Sequence, residues 1–463
     1  MENANALIDR MATSQELATS QQLETTMAIK KSGSQLVCLS LLLALFGTQG
    51  SAQNLPAAPA PAPSLPAPPP VPGATTPLTM QQAVDIALAK NPTLLAAQQN
   101  FLSVKAQEIQ AGVRANPYFT LTAADITEPS YVNNPYAYAA QFSRLFERGH
   151  KREWRLDSAR STTTETDAQY HNTEQQTIFA VRQAFTNFII AKAAKKLADD
   201  NLADFRREVN IGQERYKAGD LAKLDFERLD LQLAQFETDE SNAVVAAQQA
   251  SDQLQVLLGY DKPRVDFDIV GDVVPAPVSP TMDDLEQKGL AARSDLKAAQ
   301  AAVAVADAQV KLAYANGTTD PTAEIEFDRT GHENSAGFYV NIPLRIFDRN
   351  QGNKETAKFT AQSNRFSVIA QHNQVISDVD QAYSGYINAK VLSDRYNGHY
   401  LDEAKDVLDI ARFSYEHGGL ALIDYLDALR ESRSVTSDAL NAYQQTWLAI
   451  HQLSFVTATN IAP

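Results

Sequence analysis

The chain has 463 residues, of which 40 are basic and 55 acidic, and it contains no long basic run, so its formal charge of −15 does not favour a nucleic-acid partner. Its mean hydropathy of −0.29 excludes a protein made of many membrane-spanning helices. The one cysteine excludes a disulfide framework and any metal site that needs several cysteines.

The first 52 residues have the pattern of a secretory signal. An apolar run at 36–46 follows two lysines and is too short to cross a bilayer, which needs a helix of roughly 20 residues. The small residues that signal peptidase requires follow at 50–52, so we predict a cleaved signal region at 1–52 and an exported protein. The lysines suit a signal better than the acidic residues before them, and we expect translation to begin at Met27.

Prolines divide the rest of the chain unevenly. Ten of the 21 lie between Pro56 and Pro77, and none occurs in 136–262 or in 344–462. The first cluster predicts a Pro/Ala-rich linker at 53–77 in the extended polyproline II conformation, either as a spacer or as a docking segment for the cell wall or a partner. The two proline-free stretches predict very long helices.

The chain contains an internal duplication. Matched segments occur in the same order in both halves, and the spacing between partners changes little along the chain. We therefore predict two repeats, at 78–262 and 281–463, joined by a junction at 263–280. The matched segments are 80–111 with 282–313, 181–192 with 379–390, and 215–229 with 414–428.

Each copy follows the same order of periodicities. Helical spacing at 81–114 and 283–314 predicts one helix at the start of each copy. Alternating segments follow and predict one β-hairpin per copy. Tyr136 begins the second alternating segment of the first copy, and in the second copy we expect the last strand to continue as far as Ile346.

A long helix follows each predicted β-hairpin. In the first copy it covers residues 151 to about 216 and would be roughly 100 Å long at 1.5 Å per residue. A turn at Gly219 or Gly418 then leads into a second helix, at 221–258 in the first copy and 420–455 in the second. We expect the two helical tips at one end of a rod and the two β-hairpins at the other.

Four strands cannot close a barrel around a lumen, and their apolar faces would be left in water. Three chains supply 12 strands, enough for a barrel that is apolar outside and polar inside. Glu324, Glu326 and Asp328 alternate with Ile325 and Phe327, so we expect the three carboxylates on the lumen side. We therefore predict a homotrimer, mainly α with a small β part, whose β-barrel lies in an outer membrane.

These features resemble the TolC family of outer-membrane efflux ducts, from about Leu78 to Phe455. The resemblance rests on a duplicated Tyr-x-x-Gly-(x)5-Asp turn and on the segment after each β-hairpin. Those segments, at 145–152 and 342–353, look most like the cobalt-zinc-cadmium resistance (CzcC-like) branch. The turn residues are Tyr216, Gly219 and Asp225 in the first copy and Tyr415, Gly418 and Asp424 in the second.

The resemblance implies a duplicated α/β barrel protomer, with very long antiparallel helical hairpins and four strands. Its trimer would form a 12-strand β-barrel in outer-membrane lipid and an α-barrel in the periplasm. It implies a passive exit duct of a tripartite efflux system, with a periplasmic adaptor (membrane fusion) protein and an inner-membrane RND-type pump as partners. The metal branch implies divalent heavy-metal cations as the cargo.

The resemblance also implies roles for particular residues. Asp424 and Asp427 match an acidic periplasmic gate, where three copies of each carboxylate would form a negative ring, although both also fit favourable charges near a helix start. Tyr415 and Asp225 match positions that hold the closed entrance together, and Leu420 stands where the family's best-studied member has an arginine. The predicted adaptor-contacting tip residues are Tyr216, Gly219, Gly418 and Leu420, of which the glycines also fit simple helix ends.

No motif indicates catalysis or a bound cofactor. The chain lacks a phosphate-binding loop, a GxSxG sequence and a plausible pair of nucleophile and base, and its histidines show no metal-ligand spacing. We therefore expect neither an enzyme nor a resident metal or cofactor. Two alternatives to metal export stay open: a drug-efflux or type I secretion duct, and a soluble periplasmic coiled-coil scaffold.

Overall fold

The computed structural model describes residues 77–124 and 137–461. The predicted signal region and, apart from Pro77, the predicted linker lie outside the described residues, as does Tyr136. The helices are α1 (Met80–Lys90), α2 (Pro92–Gly112), α3 (Lys151–Ala218), α4 (Lys223–Leu257), α5 (Met282–Ala292), α6 (Ser294–Asn316), α7 (Gln351–Arg395), α8 (Leu401–Glu416) and α9 (Leu422–Val456), and the strands are β1 (Tyr118–Ala124), β2 (Ala137–Leu145), β3 (Thr322–Thr330) and β4 (Glu333–Asn341).

The same order of elements occurs twice. Two helices, a β-hairpin, a long helix and a returning helix make up the first copy, and α5 to α9 with β3 and β4 repeat this order. The long helix α3 has 68 residues, whereas its counterpart is divided into α7 and α8 by a π-helical turn at Tyr396–Tyr400. The prediction of long helical hairpins with one β-hairpin per copy is confirmed.

The first helix of each copy was expected to be continuous, and this prediction was wrong. α1 ends at Lys90, and α2 starts with Pro92, which lacks a backbone N–H and disfavours helical backbone at the preceding residue. The side chain of Asn91 caps α2 by accepting hydrogen bonds from two backbone N–H groups, at 2.9 and 3.1 Å. Arg293 takes the equivalent place between α5 and α6.

The last strand is shorter than predicted. β4 ends at Asn341, because Pro343 cannot donate a hydrogen bond to a strand ladder. Ile342, Leu344 and Ile346 therefore lie beyond the strand, and all three are exposed.

The four strands form one antiparallel sheet in the order β1-β2-β3-β4, so the two copies join where β2 pairs with β3. Successive side chains point to opposite faces of a sheet, and the register therefore separates an apolar face from a polar one. On the apolar face, one row across the sheet is Phe119, Phe142, Ile325 and Phe338. The neighbouring row on the polar face is Thr120, Gln141, Glu326 and Gly337.

A buried ion pair joins the sheet to the helices. Lys151, the first residue of α3, is 6% exposed, and its Nζ lies 2.5 Å from Asp320 Oδ2 and 2.9 Å from the carbonyl oxygen of Thr318. The backbone N–H of Arg148 donates to the other oxygen of Asp320, at 2.8 Å. Because Asp320 precedes β3, these contacts connect the first copy to the second.

The helices pack along their length. α3 contacts α4 and α6, and α9 contacts both α7 and α8. Buried apolar clusters recur along these seams. One packs α1 against Phe185 of α3 and Leu254 of α4, and another lies between the two helical hairpin tips. None of the helices in the described parts of the chain is long and apolar enough to cross a membrane.

Candidate functional site

The tips of the two helical hairpins pack against each other through an apolar cluster, here called the tip cluster. Phe205 of α3 stacks on Phe236 of α4, with ring centroids 4.4 Å apart. Apolar side chains of α8 and α9 complete the cluster from the second copy. Its buried residues are Leu202, Phe205, Leu229, Phe236, Ala411, Leu422, Tyr425, Leu426 and Leu429.

The residues predicted to contact an adaptor lie at the ends of these hairpins. Gly219 and Gly418 have φ angles of 85° and 73°, in the left-handed region that glycine adopts without strain. An added Cβ would meet nothing within 4 Å at either position, so the backbone alone requires glycine there. Tyr216 stacks on Phe226, and Leu420 is partly buried against the tip cluster. Contact of these four residues with an adaptor stays a prediction.

Tyr415, one of the predicted gate residues, lies between the two hairpins. Its ring stacks on that of Tyr425, with centroids 5.1 Å apart and planes 3° from parallel. Burial raises the pKa of Tyr415, and the negative charge of Asp225 acts in the same direction. Asp225 itself pairs with Arg228 at 3.3 Å, and no hydrogen bond within the described chain joins it to Tyr415. The structure thus places these two predicted residues near each other without a direct bond.

Arg215 is a residue of this site that the sequence analysis missed. Its guanidinium lies over the Tyr415 ring, 5.6 Å from the ring centre, so a cation–π contact joins α3 of the first copy to α8 of the second. The alignment of the two copies puts Ser414 opposite Arg215, and the family comparison pointed only to Leu420. One signal in the sequence could have pointed to Arg215: it directly precedes Tyr216, one of the two duplicated tip tyrosines, and the second copy has no arginine at the matching position.

A second cation supports the other ring of the stack. Arg412 of α8 lies near the side chain of Tyr425, which is almost fully buried, and near Glu208 of α3. Burial raises the pKa of Glu208, and the charge of Glu416 raises it further. These contacts and the Arg215 contact join α3, α8 and α9 at the level of the tip cluster.

The two predicted gate aspartates lie on an exposed face of α9. Asp424 is in the first turn, and its carboxylate makes no ion pair or hydrogen bond with any described residue, whereas Asp427 pairs with Arg430 at 2.8 Å. At a spacing of three residues the two carboxylates share one helix face, away from the buried Tyr425. Their environments differ: the carboxylate of Asp424 has no cationic partner among the described residues, whereas Arg430 offsets part of the charge of Asp427 in a pair that is open to solvent.

The polar face of the sheet is the second acidic feature. All the carboxylates of the four strands lie on this face, whereas both arginines of the strands, Arg144 and Arg329, lie on the opposite face. Glu324 accepts hydrogen bonds from Gln141 and Asn341, and Ser335 donates to Asp328. The carboxylates are Glu324, Glu326, Asp328 and Glu333.

The residues in 77–124 and 137–461 include no group of three or more His, Cys, Asp or Glu side chains placed to hold a metal ion. Within the described residues, the acidic features above therefore lack the geometry of a coordination site.

A family model described as "Outer membrane efflux protein" matches residues 83–260 and 285–459, one match in each copy. The chain belongs to this family. Its members are channels, not enzymes, and this chain is accordingly an outer-membrane efflux channel that extends into the periplasm.

Individual relatives agree with this assignment. The chain is 25% identical to the cobalt-zinc-cadmium resistance protein CzcC of Cupriavidus metallidurans over 382 residues, which cover 81% of this chain and 89% of that protein. Its fold resembles that of a membrane protein from Pseudomonas aeruginosa, with a TM-score of 0.71 and 18% identity over 86% of this chain and 100% of the other. It also resembles CusC, with a TM-score of 0.69 and 18% identity over 82% and 91% of the two chains.

Proposed function

We propose that this channel is the exit duct of a tripartite system that exports divalent heavy-metal cations. The observation that supports this cargo best is the acidic polar face of the sheet. In a 12-strand barrel that face lines the lumen, and three copies of each carboxylate would be repeated along it with no basic side chain from the described strands. Adjacent carboxylates on β3 are roughly 7 Å apart along the strand. A cation that leaves one carboxylate would therefore already be attracted electrostatically by the next. The similarity to the cobalt-zinc-cadmium resistance protein points the same way.

The proposed assembly is a homotrimer in outer-membrane lipid. Channels of this family form trimers and work with periplasmic adaptors and inner-membrane pumps. For this chain we propose an adaptor bound at the two helical tips and an RND-type pump in the inner membrane. We retain the layout of a signal region, a linker and two repeats at 78–262 and 281–463 as part of the proposal. The family assignment removes the alternative of a soluble scaffold.

Deletion of the gene tests the cargo. We expect the deletion strain to become more sensitive to cobalt, zinc, cadmium or nickel salts, with growth restored by the gene on a plasmid. Sensitivity to drugs or dyes with unchanged metal tolerance would contradict metal export and favour the drug-efflux alternative. In that case the channel assignment would still stand.

Neutralising the sheet carboxylates tests the selectivity of the lumen. In planar bilayers we expect the triple variant E324Q/E326Q/D328N to lose several-fold in its preference for cations over anions, measured as the reversal potential in a salt gradient. A matched control is D261N/D266N/D272N, in the exposed segment between α4 and α5, which removes the same charge away from the sheet. Equal selectivity of the two variants would contradict the role of this face.

We also propose Asp424 and Asp427 as the acidic gate, with Asp424 as the stronger of the two. Because Asp427 is paired with Arg430, we expect Asp424→Asn to weaken block of the reconstituted channel by trivalent cations more than Asp427→Asn does, and the double variant to weaken it most. Asp402→Asn, in the first turn of α8, serves as the control. Unchanged block in the double variant would refute the gate assignment.

A further inference from the structure

A cavity of about 200 Å³ lies between α3, the C-terminal end of α9 and the residues that follow α9. It is remote from the tip cluster and from the sheet, and neither the gate nor the lumen uses it. Its walls combine apolar and polar groups. The residues that matter here are Ile178, Phe179, Arg182, His451, Phe455 and Asn460.

His451 has one buried ring nitrogen, Nδ1, without a hydrogen-bond partner among the described residues. The residue is 1% exposed, and burial, with the nearby positive charge of Arg182, lowers its pKa to about 4, so the imidazole is neutral at neutral pH. Its Nε2 lies 2.9 Å from the hydroxyl of Thr186. Because this hydroxyl has no other acceptor among the described residues, we assign it as the donor to Nε2. The ring proton is then on Nδ1, for which the described chain supplies no partner.

Arg182 faces the same cavity with its charge unopposed. Its side chain makes no hydrogen bond or ion pair with any residue of the described chain, and partial burial lowers its pKa without any carboxylate acting against that effect. A guanidinium stays protonated even so, and this half-buried charge has lost part of its hydration without gaining a partner from the described chain. The equivalent residue of the second copy is Asp380, so this arrangement occurs in one copy only.

We infer that the cavity is a binding site for one oxyanion group, a carboxylate or a phosphate, held by the Arg182 guanidinium and the His451 Nδ1–H. Two donors that line one cavity and lack acceptors among the described residues suit an oxyanion, and the guanidinium fork can bind two oxygens at once. The apolar ring of Phe179, stacked on Phe455 at 4.8 Å, closes one side and limits access of water that would weaken the bond. The anion would link α3 to the end of α9 and stabilise the middle of the protomer. This inference does not depend on which cargo the channel exports.

Two sources could supply the group: a free anion in the periplasm, or an acidic side chain of a second copy in the assembled channel. Thermal unfolding of the purified protein in detergent separates them, with sodium phosphate and sodium acetate each compared with sodium chloride at equal ionic strength and neutral pH. For a free anion we expect the melting temperature to rise and then saturate as phosphate or acetate is added. Arg182→Met should abolish this response and Arg182→Lys should retain part of it.

The control is Arg206→Met, which removes an exposed α3 arginine that pairs with Glu237 at 2.9 Å and should leave the response intact. If the group comes from a second copy, added anions have no effect, and Arg182→Met but not Arg206→Met releases monomer in analytical ultracentrifugation. The inference is overturned if wild-type protein responds to neither anion and Arg182→Met keeps its oligomeric state, or if Arg182→Met responds to the anions as the wild type does.

Discussion

Replacement of Lys151 by methionine is expected to destabilise the protein by about 3 kcal/mol, because it leaves the carboxylate of Asp320 without its cation in a largely buried site. The side chains of Lys151 and Asp320 are 7% and 19% exposed, so water can replace little of the lost interaction. The loss should appear as a fall of at least several degrees in the melting temperature, followed by circular dichroism.

Two further variants separate the ion pair from a general effect of losing a lysine. Lys195→Met removes a half-exposed lysine of α3 whose pair with Asp199 is open to solvent, and it should change stability by less than about 0.5 kcal/mol. The double variant K151M/D320N should recover much of the loss, because the amide oxygen can still accept from the backbone N–H of Arg148 and no unpaired charge remains. Equal melting temperatures for K151M and K195M would contradict this account.

Much of the fold follows from local sequence pattern. The alternation of Glu324, Glu326 and Asp328 with Ile325 and Phe327 is a property of one strand, and it correctly separated the two faces of β3. The end of β4 was misplaced because the apolar alternation continues past Pro343, and the missing backbone donor outweighed that pattern. The break at Asn91 has the same kind of cause. The helical spacing of apolar residues continues past Pro92, but proline lacks the backbone N–H that a continuous helix needs.

The candidate site was less predictable because its contacts join residues about 200 positions apart. Arg215 and Tyr415 meet only after the two hairpins pack together, and nothing in either local sequence indicates the partner. The pair between Asp427 and Arg430 could have been predicted from the sequence, because side chains three residues apart on a helix lie close together. The cavity beside His451 depends on two segments about 270 positions apart and has no local signature.

The π-helical turn at Tyr396–Tyr400 has a visible cause in the sequence. Lys390 precedes Tyr415 by 25 residues, whereas the matching Lys192 precedes Tyr216 by 24, so the second copy carries one extra residue. A π-turn absorbs one residue and lets the helix continue in its original phase. The extra residue therefore leaves the tip tyrosines of α3 and α8 in equivalent orientations, even though α3 is continuous and α7 is not.

Single-residue deletions at the two matched positions should therefore have opposite outcomes. Deletion of Gly398, an exposed residue of the π-turn with open space around it, should convert the turn to regular α-helix and leave Tyr415 against Tyr425. Deletion of Asp200, its equivalent in α3, should rotate everything beyond it by about 100° relative to the start of the helix. Leu202 and Phe205 would then leave the tip cluster, and we expect the protein not to fold.

Both variants can be compared by their melting temperature and by their recovery as oligomer from outer membranes. The Gly398 deletion should unfold within a few degrees of the wild type, and the Asp200 deletion should yield no folded protein. Failure of both would mean that the π-turn is required in its own right, for instance through the 3.4 Å hydrogen bond from the hydroxyl of Tyr443 to Asn397. Survival of both would mean that the long helices tolerate a change of phase, which the buried contacts of Phe205 with Phe236 argue against.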